Sequence, residues 1–407
     1  MVTFAKASVL AINGGTPVRT NPFPFWPHYE EEDIAGATQT YRTGKVNYWT
    51  GEEGRAFERE YAAHTRQRYA VALANGTVAL ELALRVLDIG PGDEVITTSR
   101  TFIASASCAA VVGARPVLAD VERDSGNVTA QTLEAAITPN TRALVVVHLA
   151  GWPCDMDPIL ALAGKHGLDV IEDCAQAHGA EYKGRPAGSF GHISAFSFCQ
   201  DKIITTGGEG GMVVTSDEDL WKRSWAFKDH GKDYDLVYNR EHPSGFRWLH
   251  ESFGTNWRLT EAQSAIGRCM LRRLPQMLAK RQENAAQLIA GLADQPGLRI
   301  PLPPSDVKHS YYRFYVYVEQ HRLRDGWNRD RVSEAITAEG IPCFSGACSE
   351  IYLERAFPAE WRPVGRLPVA RELGETTLMF PVHSRVGAAE IADTITAVRK
   401  VLGAATR

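Results

Sequence analysis

The sequence predicts an α/β fold, with a large domain built on a mostly parallel sheet flanked by helices and a smaller C-terminal α+β domain. Three observations carry this expectation. From about residue 66 to 215, short apolar runs alternate with helical segments, and the runs show little polar alternation, as in strands covered on both faces. Turn punctuation separates them, as in Ile89-Gly90-Pro91-Gly92-Asp93. Beyond Pro301–Pro304 the pattern becomes strand-rich and then helical.

The expected strands are Tyr69–Leu73, Glu94–Thr98, Arg115–Ala119, Arg142–Leu149, Asp169–Glu172, Ile193–Phe198 and Met212–Thr215. A helix is expected over Thr77–Leu87, opened by Asn75-Gly76 and carrying Glu81 and Arg85 four apart on its polar stripe. A longer helical pattern starts at Thr260 and is expected to break at Pro275, giving a kinked pair. Ser310–Glu319 then reads as strand, with helices over Asn328–Glu339 and Ala388–Leu402. The chain divides into an N-terminal arm (1–30), a large domain (31–270) and a linking helix with the small domain (271–407).

Composition excludes several function classes. The 407 residues carry a formal net charge of −4, and no Lys/Arg stripe suits a phosphate backbone, so nucleic acid is not an expected partner. No apolar stretch is long enough to span a bilayer, and Met1–Asn13 lacks the pattern of a secretory signal. Seven scattered cysteines without a Cys-x-x-Cys pair suggest neither a disulfide framework nor a metal site, Cys343 and Cys348 included. A cytoplasmic location is expected.

The chemistry concentrates at expected strand ends, where open α/β sheets collect ligands. Ile171-Glu172-Asp173 supplies acids, and Lys202 follows Asp173 by 29 positions in Phe196-Ser197-Phe198-Cys199-Gln200-Asp201-Lys202. Asn75-Gly76-Thr77 opens a helix, where free amides and the helix dipole favour phosphate, and Ser197 adds a hydroxyl. A phosphate cup, a buried acid and an amine are what pyridoxal 5'-phosphate requires: a lysine to join the aldehyde, an acid to keep the ring nitrogen protonated, and a flat side chain over the ring. Phe102 is the candidate stacker and Gln176 the candidate partner of the ring hydroxyl. Read alone, Asp173 also suits a helix cap, Glu172 competes as the important acid, and Gly76 suits a turn.

At these residues the chain resembles the DegT/DnrJ/StrS family of fold-type I aminotransferases acting on nucleotide-linked keto-sugars and cyclitols. The resemblance runs through Ala74-Asn75-Gly76-Thr77, Gly90-Pro91-Gly92-Asp93-Glu94, Thr101-Phe102, His148-Leu149-Ala150-Gly151, Glu172-Asp173-Cys174-Ala175-Gln176, Ser197-Phe198 with Lys202, Glu209-Gly210-Gly211, His230-Gly231 and Asn256-Trp257-Arg258. It implies that Lys202 is the catalytic base and holds the cofactor. Asp173 then pairs with the ring nitrogen, Gln176 with the ring hydroxyl, and Gly76, Thr77 and Ser197 with the phosphate, while Phe102 stacks. It also implies a homodimer with shared sites, in which Asn256 reaches the neighbour's phosphate. Some relatives that remove a hydroxyl instead of adding an amine carry His at the lysine position, and Lys202 argues against that branch. Thr205-Thr206-Gly207-Gly208 is one glycine longer than the family pattern.

The expected reaction passes an amino group from glutamate or glutamine to a nucleotide-linked keto-sugar in surface polysaccharide or glycan biosynthesis. A cyclitol ketone or an aminoshikimate-type substrate in antibiotic biosynthesis is the alternative, suggested by Asn13-Gly14-Gly15-Thr16-Pro17-Val18-Arg19 and Phe25-Trp26-Pro27. A catalytically silent binding or regulatory protein is the alternative of another class, against which Lys202, Asp173 and Gln176 weigh. A dinucleotide-binding dehydrogenase lacks its Gly-x-Gly-x-x-Gly after the first strand. Arg258 and Arg313 are candidates for the donor carboxylate, His230 and His309 for substrate contacts, and Asn47-Tyr48-Trp49-Thr50 for acceptor selection.

Overall fold

The computed structural model describes residues 9–242, 244–245 and 247–407, so the first eight residues of the expected arm lie outside the described residues. Seven strands form the main sheet: β1 (Tyr69–Leu73), β2 (Glu94–Thr98), β3 (Arg115–Ala119), β4 (Thr141–Val147), β5 (Asp169–Asp173), β6 (Ile193–Ser197) and β7 (Gly211–Thr215). Their spatial order is β1-β7-β6-β5-β4-β2-β3. Neighbouring pairs from β3 through β6 are parallel, while β7 runs antiparallel to both β1 and β6. The carboxyl ends of β1, β2, β4, β5 and β6 therefore share one edge of the sheet.

The apolar runs form strands because both faces are covered. Val71, Leu73, Val95, Val145, Ile171 and Ile193 pack on one side with the helix Gly76–Val86, and Ile96, Leu144, Val146 and Val170 pack on the other with Met156–His166. The small domain has its own core around an antiparallel sheet of Leu298–Arg299, Phe314–Val318 and Thr377–Phe380, covered by Arg329–Ala338 and Ala388–Ala405.

Two expectations are corrected. Glu261–Leu292 is one 32-residue helix that continues through Pro275. The missing amide and the ring clash at Pro275 are outweighed by burial of Met270, Leu274, Met277 and Leu278 on one face against the aromatic core around Phe57 and Tyr61. The strand expected over Ser310–Glu319 is confined to Phe314–Val318. Ser310 and Tyr312 instead donate their amides to the carbonyls of Gly151 and Ala150 at 2.9 and 2.8 Å, which carries this segment across to the large domain.

Residues 9–30 follow the small domain and then turn beneath the site. Buried Glu339 accepts hydrogen bonds from the amides of Ala11 and Val18 at 2.9 and 3.0 Å and pairs with Lys400 at 2.8 Å. Arg19 adds ion pairs to Glu390 and Asp393. Glu339→Ala leaves two amides and an ammonium without their acceptor and is expected to cost about 2–4 kcal/mol in urea unfolding, with faster proteolysis within residues 9–25. An unchanged unfolding midpoint and digestion pattern contradicts this role.

Candidate active site

A cavity of about 1100 Å³ opens at the carboxyl edge of the sheet, between the two domains. Strand geometry decides which acid faces it. Consecutive side chains on β5 point to opposite faces, so Glu172 and Asp173 enter different environments. Asp173 lines the cavity; Glu172 turns into the protein, where it accepts from His148 Nε2 (2.9 Å), the amides of Gly188, Phe190 and Gly191, and the Ser194 hydroxyl. Burial opposes ionisation of Glu172, but His148 and the amides outweigh it and hold its pKa below the usual carboxylate range. His148 Nδ1 accepts the Cys154 amide, so Nε2 carries the proton given to Glu172. His148 and Glu172 are thereby engaged with one another and with backbone amides, with buried Cys174 beside them.

Asp173 is different. Its carboxylate accepts the Ser105 hydroxyl at 2.7 Å and the Ala175 amide at 3.1 Å, and among the described residues it forms no ion pair. Burial pushes its pKa up, against the opposing pull of Ser105 and Ala175. A cation placed against it offsets that penalty. Ser105, held in turn by Thr101 at 2.8 Å, was not singled out by the sequence reading; the signal is its position four residues after Thr101 in a segment that starts a helix.

The phosphate cup forms where β1 enters the helix Gly76–Val86. Asn75 caps it, its Oδ1 accepting the Val78 amide at 3.0 Å, while the amides of Gly76 and Thr77 have no acceptor among the described residues. A Cβ on Gly76 would lie 2.6 Å from Ser197 Cβ, so only glycine allows the helix start to approach the end of β6. His178 supports that end from behind: Nε2 donates to the Ser197 carbonyl at 2.8 Å and Nδ1 accepts the Tyr61 hydroxyl at 2.7 Å. Gln176 Oε1 accepts the Ala150 amide at 2.7 Å, which leaves its amide nitrogen as a donor on the cavity side.

Phe102, expected as a stacker, projects from the β2 end into the cavity and is 68% exposed, an unfavourable placement for a phenyl ring unless something flat covers it. Lys202 lines the same cavity with its side chain 16% exposed and its amine 3.5 Å from Asp201. The loop after it carries Gly207 and Gly208. They take φ of +90° and +129°, and the Gly208 carbonyl accepts the Gln200 amide at 2.9 Å, which closes the turn around Lys202.

Among the expected substrate residues, Arg313 lines the cavity and forms no ion pair among the described residues. Arg258 does not line it; its guanidinium is held by buried Asp229 at 2.8 Å. His230 is exposed and outside the cavity. His309 is also outside, stacked on Tyr311 at 3.9 Å with Nδ1 accepting the Tyr311 amide. Asn256 is exposed and does not reach this chain's own cavity. Tyr48 is buried on Glu58 and Trp49 packs on Trp225 and Tyr238, so both serve the core of their own chain. All seven cysteines are free, and no described helix is long and apolar enough to cross a membrane.

A family model described as the DegT/DnrJ/EryC1/StrS aminotransferase family matches residues 27–399, and the chain belongs to this family of aminotransferases. It is 36% identical to the dTDP-3-amino-3,4,6-trideoxy-alpha-D-glucose transaminase of Streptomyces venezuelae, over 91% of this chain and 93% of that one. It is 35% identical to an L-glutamine:2-deoxy-scyllo-inosose aminotransferase of Streptoalloteichus tenebrarius, over 97% of each. The crystal structure of an aminotransferase from Psychrobacter cryohalolentis superposes with a TM-score of 0.93 at 52% identity, covering 94% of this chain and 99% of that one. The cofactor is pyridoxal 5'-phosphate. The cavity fits it: two free amides, a buried acid awaiting a cation, a free amide donor, an exposed phenyl ring and an amine converge there.

Burial pushes the imidazole of His178 down to about 3, so the folded protein keeps it neutral while the unfolded chain protonates near the ordinary value of 6.5. The unfolded state then binds the extra proton, and stability falls as pH drops from 6.5 towards 3. At pH 5, His178 alone is expected to lower the unfolding free energy by about 2 kcal/mol relative to pH 7.5. In denaturant titrations, His178→Gln is predicted to show a shallower loss over this range; an identical slope contradicts the assignment.

Proposed function

We propose that this aminotransferase moves an amino group from glutamate or glutamine to a nucleotide-linked keto-sugar in the making of a surface polysaccharide or glycan, as a cytoplasmic homodimer with shared sites. The observation that carries the reading is the convergence of Lys202, Asp173, Gln176 and the Gly76–Thr77 amides in one cavity that continues past Arg313. Its volume exceeds the roughly 300–1,000 Å³ of an ordinary small-molecule pocket, which suits a cofactor together with a bulky acceptor. Exposed Asn256, in a loop with exposed Trp248 and Phe253, suits contact with a neighbouring copy. The relative acting on a dTDP-linked sugar supports the acceptor class. The similarity to a cyclitol aminotransferase over nearly both whole chains keeps a cyclitol ketone as the second reading.

Bound pyridoxal phosphate supplies a carbonyl that carries the amino group and a ring that takes up the electrons of a breaking C–H bond. The protein does the rest. Asp173 holds the proton on the ring nitrogen, and Gln176 donates to the ring hydroxyl. The Gly76 and Thr77 amides and Ser197 hold the phosphate, and Phe102 covers the ring. Lys202 is the one lysine lining the cavity among the described residues. Its amine would carry a proton from the carbon that gives up nitrogen to the carbon that receives it, first in the donor half and again in the acceptor half. Arg313 binds the donor carboxylate.

Supplied with pyridoxal phosphate and glutamate, the purified protein is expected to aminate a nucleotide-linked 3- or 4-keto hexose and to leave cyclitol ketones unchanged; the reverse preference selects the second reading. Lys202→Ala should lower turnover by at least about 10³-fold. Arg313→Ala should raise the donor KM by about 10- to 100-fold with a smaller change in kcat. Unaltered donor kinetics remove Arg313 from the site.

A further inference from the structure

Lys202 must alternate between being joined to the cofactor and being free, and the free amine needs a place to go. The structure provides one beside it. Its Nζ lies 3.5 Å from Asp201 Oδ1 and 5.2 Å from the centroid of the Tyr312 ring, which it faces. The Tyr312 hydroxyl donates to the other carboxylate oxygen of Asp201. Carboxylate and ring thus form a small cradle for an ammonium, with each wall fixing the other.

The cradle is supported from both domains. The Trp26 indole nitrogen of the N-terminal arm donates to the Lys202 carbonyl at 2.8 Å. Trp26 lies under the buried guanidinium of Arg281, at 5.6 Å, and Arg281 donates to the carbonyls of Tyr311 and Tyr312 at 3.2 Å each. One route therefore runs from the backbone of Lys202 through the arm and the long helix to the backbone of Tyr312. It fixes the distance between the lysine loop and the wall that receives its amine.

We propose that Asp201 and Tyr312 are positioning residues that hold the amine of Lys202 whenever it is not joined to the cofactor, and so set the balance between the joined and the free states. Burial raises the Asp201 carboxyl, but the charge of Lys202, the Tyr312 hydroxyl and Arg313 more than offset this, so the carboxylate stays ionised. Burial likewise raises the Tyr312 phenol, which keeps its proton and remains the donor. The inference rests on the cofactor and not on the acceptor or donor assigned above.

Binding measurements on cofactor-free protein test it without turnover. Pyridoxal phosphate draws the amine out of the cradle on binding; pyridoxamine phosphate has no aldehyde and leaves it there. Removing the cradle should therefore favour pyridoxal phosphate selectively. In Asp201→Asn the dissociation constant for pyridoxal phosphate is expected to fall by about three- to fivefold, with that for pyridoxamine phosphate unchanged. Tyr312→Phe, which keeps the ring and loses the hydrogen bond, should shift the same ratio by about twofold, and Asp201→Glu should restore it. A ratio that stays at the wild-type value in both Asp201→Asn and Tyr312→Phe, or affinities that change in parallel for the two ligands, overturns the proposal.

Discussion

The carboxylate of Asp173 imposes the strictest constraint on the site. It is buried at the end of a central strand, receives two hydrogen bonds and has no cationic partner within the described protein. A group in that state is costly to keep ionised. The surroundings reduce the cost in parts, Ser105 from the segment after β2 and the Ala175 amide from the turn after β5, and in the proposed binding mode a protonated ring nitrogen supplies the remainder. Glu172 next to it shows the opposite solution, an acid fully satisfied by His148 and three amides. One position along a strand separates an acid turned into the protein from one that lines the cavity.

The parallel sheet makes this arrangement possible. Strands β2, β4, β5 and β6 all end at one edge, and β1 ends there too because β7 is antiparallel to both its neighbours. Residues from distant parts of the sequence meet without long loops. The small domain closes the other side through Tyr312, Arg313 and Tyr315, and the arm joins the two by fastening Trp26 to the lysine loop. Much of the chain outside the sheet thus serves to fix one wall of the cavity relative to the other.

The seven strands were legible because fully covered strands read as short apolar runs, and the residues proposed to hold the cofactor could be grouped in advance because they follow those runs directly and so reach one cavity. What the sequence hides is how side chains distribute among partners. Arg258 looks as available as Arg313 until Asp229 is seen to hold it. His230 and His309 have the right chemistry, but one is exposed beyond the cavity and the other stacks on Tyr311. Ser105, Asp201 and Tyr312 carry no motif of their own, since their roles depend on neighbours up to 111 positions away. The Pro275 break failed for a related reason: a local rule lost to burial along a 32-residue helix.

The most direct measurement is borohydride reduction of the protein loaded with pyridoxal phosphate, followed by peptide mapping by mass spectrometry. The account predicts one phosphopyridoxyl group per chain, on the peptide containing Lys202, and absent from Lys202→Ala. A colourless protein, or a modification on another lysine with Lys202 intact, contradicts it.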